Sequence, residues 1–444
     1  MTNFITAERD QLMLLPPSIR EWLPPNHLAV HVAEIVDRLD LSEIEQQYRG
    51  AGKEPYAPSL LVSLLFYGYA TGVFGSRKIE MATHDSVAFR YLSGDTHPDH
   101  DTIAAFRRRF VGELEGLFAQ IVQIAREMGY AKVGTVSVDG TKLKANASKH
   151  KAMSWDYACK LERRLHRQVA ALLRMAERAD QQEDKQEIDI PQELRIREQR
   201  LARIEQAKQT LKERARQRQE HERQQREKQQ RKRQRAQQRK ARKMAAKAKP
   251  QPNDQHNFTD GDSRIMKSQG AFEQSYNAQA AVDAESMLIV GATTTNNASD
   301  AGSLIPMLEA VEKTTGQKPG RVIADAGYFS EQNVADCEQR GVEAYIATGR
   351  DKHNAPLRQR LRGEPARPKS SSPVRRKMWE KLRTDVGKEV YRLRKCVSEP
   401  VFGIIKNVMG LRRFMLRGAH KTRGEWFLAC CAYDIKRLHT LGMA

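Results

Sequence analysis

The sequence predicts an α/β protein built around a mixed β-sheet, with an all-α domain in front of it. Helical spacing of apolar residues dominates residues 20–130. After Pro250, short apolar runs alternate with helical segments, which is the order expected when strands and helices share one sheet. Between these regions, residues 155–250 are rich in Arg, Gln, Lys and Glu and nearly free of Gly and aromatic residues. This composition predicts a long, basic helical insertion.

Residues 1–130 are predicted to form the helical N-terminal domain. Leucines at 60, 61, 64 and 65 have helical spacing, and further helices are predicted over 77–91 and 103–128. Asp101 or Thr102 can cap the last of these helices. The helix over 103–128 carries three consecutive arginines, Arg107, Arg108 and Arg109. Neighbouring residues on a helix point in different directions, so only some of these arginines can face one partner. Arg107 and Arg108 are our candidates for contact with an anionic partner.

The predicted sheet is interrupted after its first strand. That strand covers 133–139. Strands are also predicted over 275–283, 287–293, 321–324 and 342–347, and helices over 303–313 and 330–340. A basic, loop-rich stretch at 350–383 precedes a helix that carries Glu399. This order suits an RNase H-like sheet, formed by residues 131–154 and 251–444, whose first strand is separated from the others by the insertion.

The insertion at 155–250 carries much of the charge of the chain. Residues 201–250 contain 19 Lys or Arg and 5 Glu, a difference of +14 within a total of +21. One interpretation is a solvated helical arm or an antiparallel helical hairpin. The alternative is that the arm also grips the DNA backbone or pairs with another subunit.

The whole-chain composition restricts the function further. A net charge of +21 on 444 residues indicates a partner that is a polyanion, although a membrane surface or an acidic protein would also fit. Five cysteines without regular spacing indicate a reducing compartment, and the adjacent Cys430 and Cys431 are predicted to be buried thiols. We find no secretory signal and no apolar run long enough to span a bilayer. The protein is therefore expected to be soluble and cytoplasmic, at the nucleoid.

Three acidic residues indicate the chemistry. Asp139 and Asp325 each end a short apolar run, and Glu399 lies on a later predicted helix. When two such strands are neighbours, their carboxylates meet at one edge of the sheet, and a glutamate on a covering helix completes an oxygen-only site. Such a site suits two Mg²⁺ ions, with Mn²⁺ as a substitute, and phosphodiester chemistry. Any one of these acids alone is more often a cap or a turn residue.

Two other polar groups could suggest metal binding. His97 and His100 lie among aspartates, but no thiolate or spaced ligand pair supports zinc, and a capped polar loop is the preferred interpretation. Asp260 and Asp262 are expected to shape a loop.

The segments 139–146 and 325–328 resemble those of bacterial insertion-sequence transposases of the DDE type. The block 391–406 is similar to the tyrosine–arginine–glutamate–lysine signature of that group, with Glu399 and Lys406 separated by the usual six residues. Seven positions are two helical turns, so both side chains are expected on one helix face.

The rest of the signature is displaced. Arg394 and Tyr391 stand one position upstream of the strict pattern, and Lys395 occupies the usual arginine position. The resemblance implies that Lys406, Arg394, Tyr391 and Lys395 contact DNA.

The resemblance extends to residues 55–110 and 411–426 and so covers most of the chain outside the basic arm. It implies metal-dependent DNA cleavage at terminal inverted repeats and strand transfer into target DNA. It also implies at least a homodimer on DNA. The alternatives are an inactive DNA-binding descendant and a nuclease without strand transfer.

Overall fold

The computed structural model describes residues 18–48, 54–181, 189–232, 250–252, 254–268, 270–349 and 372–443. The chain divides into two compact units. Unit 1 comprises Met1–Lys144 and Tyr276–Ala444, and unit 2 comprises Ala145–Ser275.

Helices form the N-terminal part of unit 1. After a 3₁₀ turn at Ile19–Trp22, they are α1 (Leu28–Asp37), α2 (Ser42–Glu45), α3 (Pro58–Thr71), α4 (Ser76–Asp85), α5 (Val87–Leu92), α6 (His100–Arg109) and α7 (Leu114–Glu127). Two helices that the sequence predicts as continuous are each broken. Ser86 adopts an extended conformation between α4 and α5, and residues 110–113 separate α6 from α7. Asp99 caps α6, one turn earlier than expected, because its side chain accepts from the Thr102 N–H.

The sheet has the predicted alternation. Its strands are β1 (Thr135–Lys144), β4 (Arg264–Ser268), β5 (Ala271–Asp283), β6 (Ile289–Thr295), β7 (Arg321–Ala324) and β8 (Glu343–Ile346). The order is β4-β5-β1-β7-β8, and β6 pairs with β5. The β5–β6 pairing is antiparallel, whereas β1, β7 and β8 run parallel. The strand predicted at 321–324 is confirmed, and β1 continues five residues beyond its predicted end.

Helices of unit 1 cover this sheet. They are α10 (Leu304–Thr315), α11 (Glu331–Arg340), α12 (Pro373–Lys381), α13 (Asp385–Gly403), a π-helical turn (Ile404–Val408) and α14 (Ala419–Gly442). The prediction of a loop at 350–383 is wrong for α12, which begins with Pro373 and is capped by Ser372; residues 350–371 lie outside the described part. Helix α14 packs on α3, α7 and β6. Cys430 and Cys431 are buried in it, as predicted.

Unit 2 contains a helical hairpin. The two-stranded sheet of β2 (Ala152–Ser154) and β3 (Gln255–Asn257) lies at its base, and α8 (Trp155–Gln181) and α9 (Ile190–Lys232) form its arms. Ala158 and Leu165 of α8 pack on Ile204 of α9. The start of α8 therefore lies beside the middle of α9, which is the antiparallel arrangement that one interpretation of the sequence predicted. The basic residues 233–249 lie outside the described part.

Within the described residues, no single helix is long and apolar enough to cross a membrane. Only the pair α3 and α4, bent by 96°, meets the criteria of length and composition.

Candidate active site

The register of β1 and β7 brings two of the three predicted acids together. Val138 pairs with Ala324 in the parallel ladder, so the next residues, Asp139 and Asp325, are side by side where β7 ends. Asp325 also caps the following 3₁₀ turn, because its Oδ1 accepts from the Gly327 N–H at 2.7 Å. Its carboxylate is thereby fixed by the backbone that follows it.

Helix α13 brings the third acid to the same face of β1. Ser137 and Ser398 form a buried Oγ–Oγ hydrogen bond of 2.5 Å. Because alternate strand residues share a face, Asp139 lies on the face that this helix covers. Glu399 follows Ser398 directly, and its side chain is 54% exposed. The sequence-predicted acids therefore converge on one region, although Glu399 is at its solvent side.

Arg394 links the acids of the strand and the helix. Its guanidinium donates to Glu399 at 3.1 Å and lies 3.8 Å from a carboxylate oxygen of Asp139. The side chain of Arg394 is 17% exposed, whereas Lys395 is exposed to solvent. The displaced arginine, and not the lysine at the usual arginine position, therefore faces the carboxylates.

The carboxylates disfavour one another's charge. Burial raises the pKa of Asp139 from 3.8 to about 6, and repulsion from Asp325 and Asp300 adds to this effect. The Gly140 N–H and Arg394 oppose it by stabilising the carboxylate. Ionised Asp139 is therefore unfavourable mainly because it is buried, and a bound cation would offset that cost.

Asp300 belongs to this site, and the sequence prediction missed it. Its Oδ1 accepts from Lys142 at 3.0 Å, from Asn277 at 2.6 Å and from Gln279 at 2.9 Å. Asp300 lies in the loop between β6 and α10, so only the tertiary fold brings it to Asp139. A signal for this network does exist on β5, where Asn277 and Gln279 are buried polar residues two positions apart and so require partners.

Gln279 connects this network to the strands of both aspartates. Its side-chain carbonyl accepts from the Tyr328 hydroxyl, on the turn that follows Asp325. Its amide lies so close to Gly140 that a Cβ at this position would overlap it. The glycine after Asp139 is therefore required for close approach of Gln279 and not for a turn.

Lys406 lies on the π-helical turn after α13, so the prediction of two regular α-helical turns from Glu399 is wrong. Burial lowers the pKa of Lys406, while attraction to Asp139 opposes this change. The lysine is thus within electrostatic reach of the carboxylates even though the helix changes its period.

The remaining predicted DNA contacts differ in exposure. Tyr391 is partly buried against a cluster that includes Tyr345 and Val390. Arg107 is only 7% exposed and donates to the Phe74 carbonyl at 2.7 Å. The prediction that Arg107 contacts DNA is therefore wrong, because its guanidinium is buried in the helical domain and donates to a backbone carbonyl there. Arg108 is exposed, and its DNA contact stays a prediction.

The other polar groups form loops. The Asp260 side chain accepts from the Asp262 N–H, and its carbonyl accepts from Ser263, which closes a turn. His97 stacks on His84, while His100 binds Glu80. Both interpretations as loop and cap residues agree with these contacts.

The donor set fits a hard divalent cation in its chemistry, because Asp139, Asp325 and Glu399 offer only carboxylate oxygens. Nevertheless, among the described residues no group of three or more His, Cys, Asp or Glu side chains stands in a metal-holding arrangement. Arg394 pairs with Glu399 and approaches Asp139, so it partly neutralises two of these acids.

An acid pair on adjacent parallel strands, with a glutamate on the helix above, defines a nuclease-like class of α/β protein. Two family models match the chain: a transposase DDE domain over residues 248–435 and a transposase domain, DUF772, over residues 17–109. The chain is accordingly an insertion-sequence transposase of the DDE type. The DDE match contains Asp325 and Glu399 but ends short of Asp139 on its N-terminal side. No curated protein and no solved structure gave a match.

Proposed function

We propose that the protein cleaves DNA at the terminal inverted repeats of an insertion sequence and joins the freed 3′ ends to target DNA. Asp139, Asp325 and Glu399 are the catalytic residues of this proposal. The observation that carries it is the parallel register of β1 and β7, which sets Asp139 beside Asp325. The Ser137–Ser398 contact then sets Glu399 over the same face.

The strand arrangement supports an RNase H-like catalytic domain. In spatial order β6, β5, β1, β7 and β8 form a sheet in which the first pair is antiparallel and the last three strands are parallel. Two of the proposed catalytic acids lie on the central strand (Asp139) and directly after its parallel neighbour (Asp325), and Glu399 lies on α13. Helices α8 and α9 then form an insertion between the first strand and the remainder of the sheet.

Mg²⁺ is the proposed cofactor, with Mn²⁺ as a substitute. Two such ions bound at the three carboxylates would lower the pKa of the attacking hydroxyl. They would also stabilise the negative charge on the departing 3′ oxygen. The chain's own residues prepare this site. Asp139 and Asp325 concentrate negative charge, and Asp300 and Gln279 hold the strands that carry them.

Arg394, Lys406 and Lys395 are the proposed contacts to DNA phosphates near the site, with Tyr391 as an adjoining residue. Arg394 neutralises Glu399 in the protein without DNA, and it can turn to a phosphate once the glutamate is engaged. Arg108 is proposed to contact the DNA backbone from α6. Because two element ends must be joined, we propose a homodimer on DNA.

The test compares alanine variants of the three acids with a control on the same helix. Asp139→Ala, Asp325→Ala and Glu399→Ala should each abolish Mg²⁺-dependent nicking of a labelled terminal-repeat duplex while they retain its binding. Glu389→Ala removes an exposed acid of α13 away from the site and should cleave normally. Normal cleavage by Asp325→Ala would refute the site.

The same assay separates two other functions. An inactive DNA-binding protein would bind the duplex without nicking, and a plain nuclease would nick it without joining the 3′ end to a second duplex. Either result with the unmodified chain would contradict transposition.

A further inference from the structure

Unit 2 contains a cleft of about 630 Å³ between α9 and the β2–β3 sheet. Its polar lining is cationic, with Lys151, Arg200 and Arg203 at the wall. None of the described residues that line the cleft carries a carboxylate. Its size is that of a small-ligand cleft.

The cations of this cleft have no counter-charge in the part of the chain that the structure describes. Within the described residues, the side chains of Lys151, Arg200 and Arg203 form no hydrogen bond and no ion pair. Nearby on the same helix, Lys208 forms an ion pair with Glu162. The hairpin therefore neutralises the cation next to the cleft and leaves those of the cleft unpaired, which favours an anionic ligand.

An aromatic ring completes the cleft. Phe258 is 41% exposed, and its ring meets His256 edge-on at a centroid distance of 5.5 Å. The Phe258 N–H donates to the Lys151 carbonyl at 3.1 Å, which fixes the backbone that presents the ring. Burial lowers the pKa of His256, and the neighbouring Arg214 and Arg264 lower it further. The ring of Phe258 is thus an oriented apolar surface beside three cations.

We propose that this cleft binds one nucleotide of unpaired DNA, with its phosphate at Arg200, Arg203 and Lys151 and its base stacked on Phe258. Phosphate contacts suit any polyanion, but a solvent-exposed ring adds affinity only when a base leaves its stack and offers its face. The inference rests on the proposed function in one respect, namely that the polyanion is DNA. It adds a binding site in unit 2 that is separate from the carboxylates of unit 1.

The helix itself provides a matched control. Arg200 and Arg203 are three positions apart and share the cleft face of α9 with Ala207. Lys212 is nine positions beyond Arg203, which is two and a half helical turns and therefore the opposite face. Arg216 lies one turn further on, and both control residues are exposed. The pair Lys212→Ala with Arg216→Ala removes the same charge from the same helix without touching the cleft.

The experiment measures binding of a fluorescent single-stranded oligonucleotide of about ten nucleotides to the full chain, without divalent ions. Phe258→Ala should weaken binding about tenfold. Arg200→Ala with Arg203→Ala should weaken it further and reduce the slope of log affinity against log salt by about 1.4, the value for two phosphate contacts to a single strand. The control pair should leave the slope unchanged. Circular dichroism checks that each variant is folded.

A second arm identifies the base. In oligonucleotides with one abasic site, removal of the base that stacks on Phe258 should weaken binding to the unmodified protein and make Phe258→Ala neutral. The proposal is overturned if the control pair lowers affinity as much as the cleft pair. It is also overturned if Phe258→Ala has no effect, which would leave a general polyanion surface. These binding measurements do not require cleavage, so the same results are expected in an Asp325→Ala background. A failed cleavage assay would therefore not affect this proposal.

Discussion

The carboxylate site of unit 1 and the cationic cleft of unit 2 each contain several charges of one sign. They differ in how far charges of the opposite sign neutralise them. At the carboxylates, Lys142 and Arg394 pair with Asp300 and Glu399 and lie inside the fold. At the cleft, the cations are exposed and lack acidic partners within the described residues. A partly neutralised, buried site suits a small ion of high charge, whereas an open cationic wall suits a long polyanion.

The difference also predicts how each region responds to substitution. The carboxylates are held by specific hydrogen bonds, so changes in geometry should have large effects there. Binding at the cleft depends on the number of exposed charges and on one aromatic ring. Substitutions there should therefore cause smaller losses of affinity, and these losses should depend on salt.

Gly140→Ala should produce the largest effect. A Cβ at this position would overlap the Gln279 amide, which would have to move and give up its hydrogen bond to Asp300. We expect cleavage of terminal-repeat DNA to fall about 100-fold, since small displacements of catalytic groups have effects of this size. Binding of single-stranded DNA at the cleft should not change.

Two further variants sharpen this prediction. Gly134→Ala introduces the same methyl group just before β1 into open space and should be neutral. Adding Gln279→Ala to Gly140→Ala removes the overlap and should recover about tenfold of the lost rate. Full activity of the single variant, or no recovery in the double variant, would show that close packing at Gly140 does not position Asp139.

Asp300→Asn should reduce cleavage by about 10- to 100-fold, because Lys142 loses its counter-ion beside the site. The neutral side chain also removes one source of repulsion that raises the pKa of Asp139. The acid limb of the pH–rate profile should therefore move to lower pH, a change that a loss of folding would not produce.

The control is Asp385→Asn, which removes a fully exposed acid at the start of α13. Its pH–rate profile should match that of the unmodified chain. An unmoved acid limb in Asp300→Asn would exclude Asp300 as a positioning residue of this site.

The sequence predicts those parts of the fold and site that depend on local pattern. The strand Arg321–Ala324 lies between a glycine and Asp325 and is apolar after its first residue, so its bounds can be predicted. The three acids follow from strand ends and a helix signature. The sequence does not predict the break at Ser86, because helical periodicity continues across it. It does not predict α12 either, because the capping serine of this helix lies in a basic, proline-containing segment.

The rest of the site depends on tertiary contacts. Asp300 reaches Lys142 across 158 positions of sequence, and nothing local marks it. Arg107 and Arg108 are equivalent in the sequence, yet the fold buries one and exposes the other. The cleft likewise requires Phe258 to meet α9, a contact between segments that the basic composition of the arm does not reveal.

Cleavage at the carboxylate site and binding at the cleft should depend differently on pH. Asp139 must be ionised to hold a cation, and its pKa is about 6, so cleavage should fall about tenfold for each pH unit below that value. Oligonucleotide binding at the cleft should change much less over the same range, since Arg and Lys side chains carry its phosphate contacts. Parallel titrations of cleavage and of fluorescence anisotropy test this. A cleavage rate that is flat through pH 6 would contradict the role of Asp139.

The smallest effect concerns stability without metal. The folded-state pKa of Asp139 lies above its ordinary value of 3.8, so the folded protein binds more protons between these values and loses stability as pH rises through them. Asp139→Asn should therefore stabilise the metal-free protein by about 1–3 kcal/mol at neutral pH, and this gain should vanish below pH 4. Arg200→Ala with Arg203→Ala should change stability by less than about 0.5 kcal/mol, because these cations are exposed. Thermal unfolding in chelator measures both, and added Mg²⁺ should stabilise the unmodified chain but not Asp139→Asn. If Asp139→Asn is no more stable than the unmodified chain at neutral pH, burial and the neighbouring carboxylates do not disfavour the Asp139 anion in the folded protein.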